Sequence, residues 1–249
     1  MNDEMLSDKR IVEVVKKLRE AAGVNLESVI LFGSAVAGDF HPEYSNLNLL
    51  CVVRDTSFSA LMPLVPAVKW WNAQKQPTPL FMSRDEITRS TDVFTIEFLD
   101  IKQHRRVLFG EDIFQNLTIP SDLHRVQVEY ELREKLALLR QHLLLAADNE
   151  QRLWELLLRS VSSFSTLFRH ALIVLGEDAP ASKNEAVAAL GKRLGFDASA
   201  IFEVLRVREG GAARKQFKLP DLFSRYLAAV EQVTAAVDKM LDAENQGTA

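Results

Sequence analysis

Cysteine is almost absent: Cys51 is the single one in 249 residues. An intramolecular disulfide is therefore excluded, and the usage fits a reducing compartment. Cys51 sits in the apolar run Leu49-Leu50-Cys51-Val52-Val53, with only Arg54 nearby to favour a thiolate, so it reads as a small buried hydrophobe. No run of about 18 apolar residues occurs, so no membrane span is expected. The N-terminus, Met1-Asn2-Asp3-Glu4, is acidic and no apolar segment follows it, which speaks against a secretory signal. The expected location is cytoplasmic. A positive excess is also lacking: 30 Lys and Arg stand against 34 Asp and Glu, for a net charge of −4, and acidic residues outnumber basic ones in both halves. That balance disfavours general nucleic-acid binding, though it leaves room for a local basic patch. The chain also has no internal repeat and no low-complexity segment.

What is present is an ordinary globular composition, 47% hydrophobic and 26% charged, enough for one large core or two modest ones. The periodicity changes along the chain. Residues 8–22 place Ile11, Val14, Val15 and Leu18 on one helical face. Val29-Ile30-Leu31-Phe32 reads as a strand that stops at Gly33, and 47–53 as a second strand with Leu47, Leu49 and Cys51 on one side and Asn48, Leu50 and Val52 on the other. The segment 57–74 has helical spacing, interrupted by Pro63 and Pro66. Thr78–Met82 fits a third strand, and Ser83-Arg84-Asp85-Glu86 has the form of a capping box that opens a short helix. Val93–Ile101 is apolar and rich in β-formers, and it reads as a further strand, followed by an exposed charged turn at His104-Arg105-Arg106.

Beyond residue 120 the spacing is helical throughout. Leu132, Leu136, Leu139 and Leu143 form one stripe, and Trp154, Leu157, Val161, Phe164, Phe168, Leu172 and Leu175 form another. Shorter helices are expected over Asn184–Leu194 and Ser199–Val207, and a long one from Leu222 to Leu241 behind Pro220. The aromatic residues Trp154, Phe164 and Phe168 read as core, and Lys183 and Arg208 as solvated surface. Pro120 and Ser121 interrupt both patterns, so the expected organisation is 1–120 followed by an all-helical 121–249.

The most specific passage is Leu31-Phe32-Gly33-Ser34-Ala35-Val36-Ala37-Gly38-Asp39, continuing through Ser45-Asn46-Leu47-Asn48-Leu49-Leu50. A strand that ends in Gly-Ser and turns into a helix exposes backbone N–H groups that can meet a phosphate. Two polar positions one residue apart on the next strand, 46 and 48, point to one side. This frame resembles the signature of the DNA polymerase beta-like nucleotidyltransferases, in which that strand carries two carboxylates. The stretch Phe94-Thr95-Ile96-Glu97-Phe98-Leu99-Asp100-Ile101, through Arg105-Arg106-Val107-Leu108-Phe109-Gly110-Glu111-Asp112, resembles a bacterial group of nucleotidyltransferase-domain proteins in which a helical domain follows, as in aminoglycoside adenylyltransferases.

The resemblance implies an α+β fold, with an N-terminal nucleotidyltransferase-like mixed sheet and helices at 1–120 and an all-α helical bundle at 121–249. It implies that Gly33 and Ser34 bind nucleotide, and that Glu97, with Asp100 second, supplies the third carboxylate that such enzymes use as ligand or base. It implies Mg²⁺ as cofactor if the protein is active, and ATP or another nucleoside triphosphate as partner. The acceptor would be a hydroxyl of a small molecule or a protein, and a homo-oligomer is compatible with the sequence. The departure is at the metal-ligand positions, which are Asn46 and Asn48. An amide oxygen can coordinate a cation but brings no charge, whereas Mg²⁺ is usually held by one or two carboxylates plus phosphates. Asp39, Glu43, Glu97 and Asp100 are the carboxylates from which a substitute set could be drawn. Three functions therefore stay open: a degenerate nucleotidyltransferase that binds nucleotide weakly, a working transferase with substitute ligands, and a helical protein-interaction module.

Overall fold

The structure, a computed structural model, describes residues 8–38, 40–41, 43–178, 180 and 182–246, with side chains described as far as residue 239. The chain divides into two compact units, Met1–Pro120 and Ser121–Ala249. Among the described residues, no helix is long and apolar enough to cross a membrane.

The first unit is built on a four-stranded mixed sheet of β1 (Leu26–Phe32), β2 (Asn48–Val53), β3 (Leu80–Met82) and β4 (Arg105–Gly110), in the spatial order β3-β2-β1-β4. β1 pairs antiparallel with both β2 and β4, and β2 pairs parallel with β3. The two central strands read as nearly unbroken apolar runs because both of their faces are covered. On one face Val29, Leu31, Leu49, Cys51 and Val53 pack against α1 (Lys9–Ala22), through Ile11, Val14 and Leu18, and against Trp71 of α4 (Val65–Ala73). On the other, Ile30, Leu50 and Val52 meet Ile87 of α5 (Arg84–Arg89), Phe98 and Ile101 of α6 (Thr95–Gln103), and Phe114. In the chain, the short helices α2 (Ser34–Ala37) and α3 (Phe58–Leu61) follow β1 and β2.

The prolines act as their chemistry requires: the helical segment after residue 57 is broken into α3, a 3₁₀ turn carrying Pro63, and α4 with Pro66 in its first turn. The capping box at α5 is complete. Ser83 Oγ accepts from the Glu86 N–H at 3.1 Å, and Glu86 Oε2 accepts from the Ser83 N–H at 2.6 Å. These bonds, that of the Ser83 backbone N–H first, hold the Glu86 carboxyl below its ordinary pKa.

The expected strand at Val93–Ile101 is instead helix α6. Its buried positions, Thr95, Ile96, Phe98 and Ile101, step by one, two and three, a helical pattern that alternation cannot produce. The strand lies later, in β4, where an exposed charged turn was expected. β4 takes the free edge of β1, and Ser28 Oγ, fully buried, donates across it to the Phe109 and Glu111 carbonyls at 3.0 and 2.8 Å.

In the second unit the helices are α7 (His124–Ala146), α8 (Glu150–Val174), α9 (Lys183–Leu194), α10 (Ser199–Arg208) and α11 (Leu219–Gln246). Leu132, Leu136 and Leu139 from α7, Trp154, Val161, Phe164 and Phe168 from α8, and Tyr226, Val230 and Val233 from α11 are buried. Arg208 corrects an expectation: it is only 8% exposed and donates to the Leu158 carbonyl at 2.5 Å. Lys183 Nζ donates to Ser162 Oγ at 3.0 Å and is also partly buried. His124 and His170 are buried and share a hydrogen bond of 2.9 Å between their rings.

Gly110 ends β4 with φ of 78°, and a Cβ there would overlap the Glu27 carbonyl. Gly110→Ala should therefore lower the stability of the first unit by about 3 kcal/mol. The check is the urea midpoint reported by Trp70 and Trp71 fluorescence in a Trp154→Phe background.

Candidate functional site

β1 ends at Phe32, and the chain turns at Gly33 (φ 80°, ψ −150°) into α2, which begins at Ser34. The Gly33 N–H donates to the His104 carbonyl at 3.2 Å, and its carbonyl accepts from the Val36 and Ala37 N–H groups at 2.9 and 3.0 Å. The N–H groups of a first helical turn have no carbonyl to reach within their own helix. The positive φ at position 33 is one reason for glycine. A second is close approach, because a Cβ there would lie 3.2 Å from Asn48 Nδ2. Asn48 opens β2, directly opposite Phe32 in the register, and is half-buried.

The other asparagine is placed differently. Asn46 is exposed and lies in the loop ahead of β2, so the strand does not hold the two side chains at one pleat spacing, as the sequence reading expected. The Leu47 N–H between them donates to Gln76 Oε1 at 2.8 Å, which anchors the loop just before the strand starts. Upstream, His41 and Tyr44 stack with ring centroids 4.9 Å apart, and the His41 N–H donates to Ser45 Oγ at 3.0 Å. Glu43 is exposed in that turn, and Asp39 lies outside the described residues.

Glu97 and Asp100 lie on α6 rather than on a strand. Glu97 is exposed and borders a cavity of about 580 Å³, whose other walls include Phe32, Leu50, Met82, Glu86 and Phe94. Asn48 shares the sheet face of Leu50 by alternation, the face that α6 covers. Asp100 is half-buried, and its carbonyl accepts the His104 N–H at 2.8 Å at the end of α6. The Gly33 turn, Asn48 and the Glu97 cavity thus belong to one end and one face of the sheet. Asn46 stays in the loop and Asp100 off the cavity wall.

Among the described residues, the donor set does not provide the carboxylates that Mg²⁺ usually takes. Among the described residues, no three His, Cys, Asp or Glu side chains come together where they could hold a metal ion. The two amides at 46 and 48 bring no charge, and they are not held on one strand face. Cys51 is no substitute, since burial pushes its thiol pKa far up.

Arg105 and Arg106, expected in an exposed charged turn, are residues of β4. Arg105 forms a two-pronged ion pair with Asp112, Nε to Oδ1 at 2.7 Å and Nη2 to Oδ2 at 2.8 Å, and it also donates to the Lys102 carbonyl. Its donors are committed to the fold. No sequence signal marks this clamp, because Arg105 and Asp112 are seven residues apart in a segment with no regular charge pattern.

No family model matches the chain, and no curated protein matches it. Solved structures do. The crystal structure of spectinomycin adenyltransferase AAD(9) from Enterococcus faecialis with ATP and spectinomycin superposes with a TM-score of 0.62 at 16% sequence identity, covering 92% of this chain and 98% of that one. At this identity the likeness is one of fold: the chain has a nucleotidyltransferase-like α+β fold with a C-terminal helical region.

The Asp112 carboxyl is held below its ordinary pKa of 3.8, first by its hydrogen bonds from Arg105. A depressed native pKa contributes stability that is present above the unfolded value and is lost as pH falls toward the native one. Asp112→Asn should therefore destabilise the protein at pH 7. The gap between variant and parent, read from urea midpoints, should narrow as pH drops below about 4.

Proposed function

We propose that the protein is a nucleotidyltransferase of the DNA polymerase beta-like type whose metal site has degenerated, so that it binds a nucleotide weakly and transfers little or nothing. The observation that carries this reading is Asn48, set against the Gly33 turn at the start of β2, where a metal-binding carboxylate would be expected. Asn46, exposed and ahead of the strand, does not make up the loss. The ATP in the AAD(9) structure supports a nucleoside triphosphate as the ligand, and its spectinomycin supports a small-molecule acceptor for any remaining activity.

In this reading the Ser34 and Ala35 N–H groups and the Ser34 hydroxyl meet phosphate oxygens, since the Gly33 N–H is already held by the His104 carbonyl. The apolar wall of Phe32, Leu50 and Phe94 offers a dry surface to a base or acceptor, with Glu97 at its rim. Without paired carboxylates, Mg²⁺ has little to hold it against the phosphates, and the in-line displacement loses its main electrostatic support. A second reading, an interaction module built on the helical unit, draws on Leu144 and Leu145 of α7, which are 80% and 73% exposed.

Calorimetric titration of the full chain with ATP tests the first reading. Binding should be weak and should not change when Mg²⁺ is replaced by EDTA. Asn46→Asp combined with Asn48→Asp should make binding depend on Mg²⁺ and tighten it at least about tenfold. Robust Mg²⁺-dependent transfer of AMP by the unaltered protein would overturn the proposal. In that case Glu97→Gln asks whether Glu97 is a substitute ligand or base.

A further inference from the structure

The helical unit carries a groove of its own, unrelated to the Gly33 turn. It runs between the consecutive helices α7 and α8 and measures about 300 Å³. From α7 come Lys135, Leu138, Leu139 and His142, and from α8 come Leu156, Arg159, Ser160, Ser163 and Phe164. Both sets follow the three- and four-residue spacing of a helix face, so two stripes border one trough. The floor is apolar: Phe164 is 1% exposed and Leu139 is 2% exposed, while Leu138 stands at the edge with 42% exposed.

The polar groups of this trough are one-sided. Lys135, His142 and Arg159 border it, and no Asp or Glu does. Lys135 is held by Glu131 on its own helix, Nζ to Oε2 at 2.9 Å. Glu155, one turn before Arg159, accepts a hydrogen bond from Gln151 at 3.3 Å and makes no ion pair with Arg159 among the described residues. Arg159 and His142 therefore have no hydrogen-bond or ion-pair partner among the described residues. The Ser160 hydroxyl is fixed by the buried Tyr226 hydroxyl at 2.9 Å, and Ser163 adds an exposed hydroxyl. Arg133, Arg140 and Arg225 of the helical unit find carboxylates, whereas Arg159 borders an apolar floor.

We propose that this groove binds a small organic anion with an apolar body, a medium-chain or aromatic carboxylate. The apolar body would cover Leu138, Leu139, Leu156 and Phe164, and the carboxylate would take a forked hydrogen bond from Arg159, with His142 and Ser163 as further donors. The volume of about 300 Å³ lies at the lower end of the small-molecule range.

The test is titration of the full chain with octanoate and with 4-phenylbutyrate, followed by calorimetry, with 1-octanol and octylamine as the neutral and cationic controls. At least one carboxylate should bind saturably with one site per chain, and neither control should compete. Arg159→Gln should weaken that binding at least about tenfold, the loss expected when a charge-assisted fork is removed. Leu138→Asn at the rim should weaken it through the apolar contact alone. Both positions are exposed, and unchanged thermal unfolding of each variant confirms that the fold is intact. Equal binding of octanol, full binding by the Arg159→Gln variant, or no saturable binding of either carboxylate up to millimolar concentration would each overturn the proposal.

Discussion

β1 is buried on both faces and hydrogen-bonded on both edges, so its register with β2 is fixed from every side at once. Slipping that pairing by one residue would exchange the two sheet faces, turning Leu49 and Cys51 away from α1 and Asn48 toward it. The same register sets Phe32 opposite Asn48 and so brings Asn48 against the Gly33 turn. The geometry of the candidate site is a consequence of core packing several residues away. The core holds the turn in place whether position 48 carries a charge or an amide.

The parts of the fold visible in the sequence are those in which one physical signal acts alone. The stripes of α7, α8 and α11 follow from apolar spacing, the opening of α5 from Ser83 and Glu86, and the end of β1 from Gly33. The failures lie where signals conflict. Thr95, Ile96 and Phe98 favour strands by composition, yet their burial spacing is that of a helix, and the chain from β3 to β4, the two opposite edges of the sheet, covers a face of it with α6 on the way. Arg105 and Arg106 resemble a solvated turn until Asp112 and the free edge of β1 are in place, and neither is a local property. Arg208 looks like surface for the same reason, because its acceptor, the Leu158 carbonyl, is 50 residues away. For the candidate site, the sequence picked out Gly33, Ser34 and the two asparagines, but which asparagine the strand holds depended on where β2 begins.

A triphosphate needs positive charge, and most of the cations of the first unit are already engaged. Arg105 is clamped to Asp112, Arg84 bridges Glu27 and Glu111, and Arg54 also reaches Glu27. Arg89 pairs with Asp85, Arg10 with Asp8, and Lys102 donates to the Leu117 carbonyl. Exposed pairs of this sort contribute little each, and a phosphate could compete for some of them. Arg105 is different, because it is largely shielded and bonded in a fork, so freeing it would leave Asp112 without its partner. Two acidic side chains, Glu86 and Glu97, face the cavity beside the Gly33 turn and would repel a polyanion that no metal neutralises. Backbone N–H groups can still orient a phosphate, but with amides at 46 and 48 they have no cation of the site's own making to work with. Weak binding that is indifferent to Mg²⁺, as proposed, is the behaviour this distribution of charge implies, because the fold that presents the turn and the charge that would make it catalytic are separate properties.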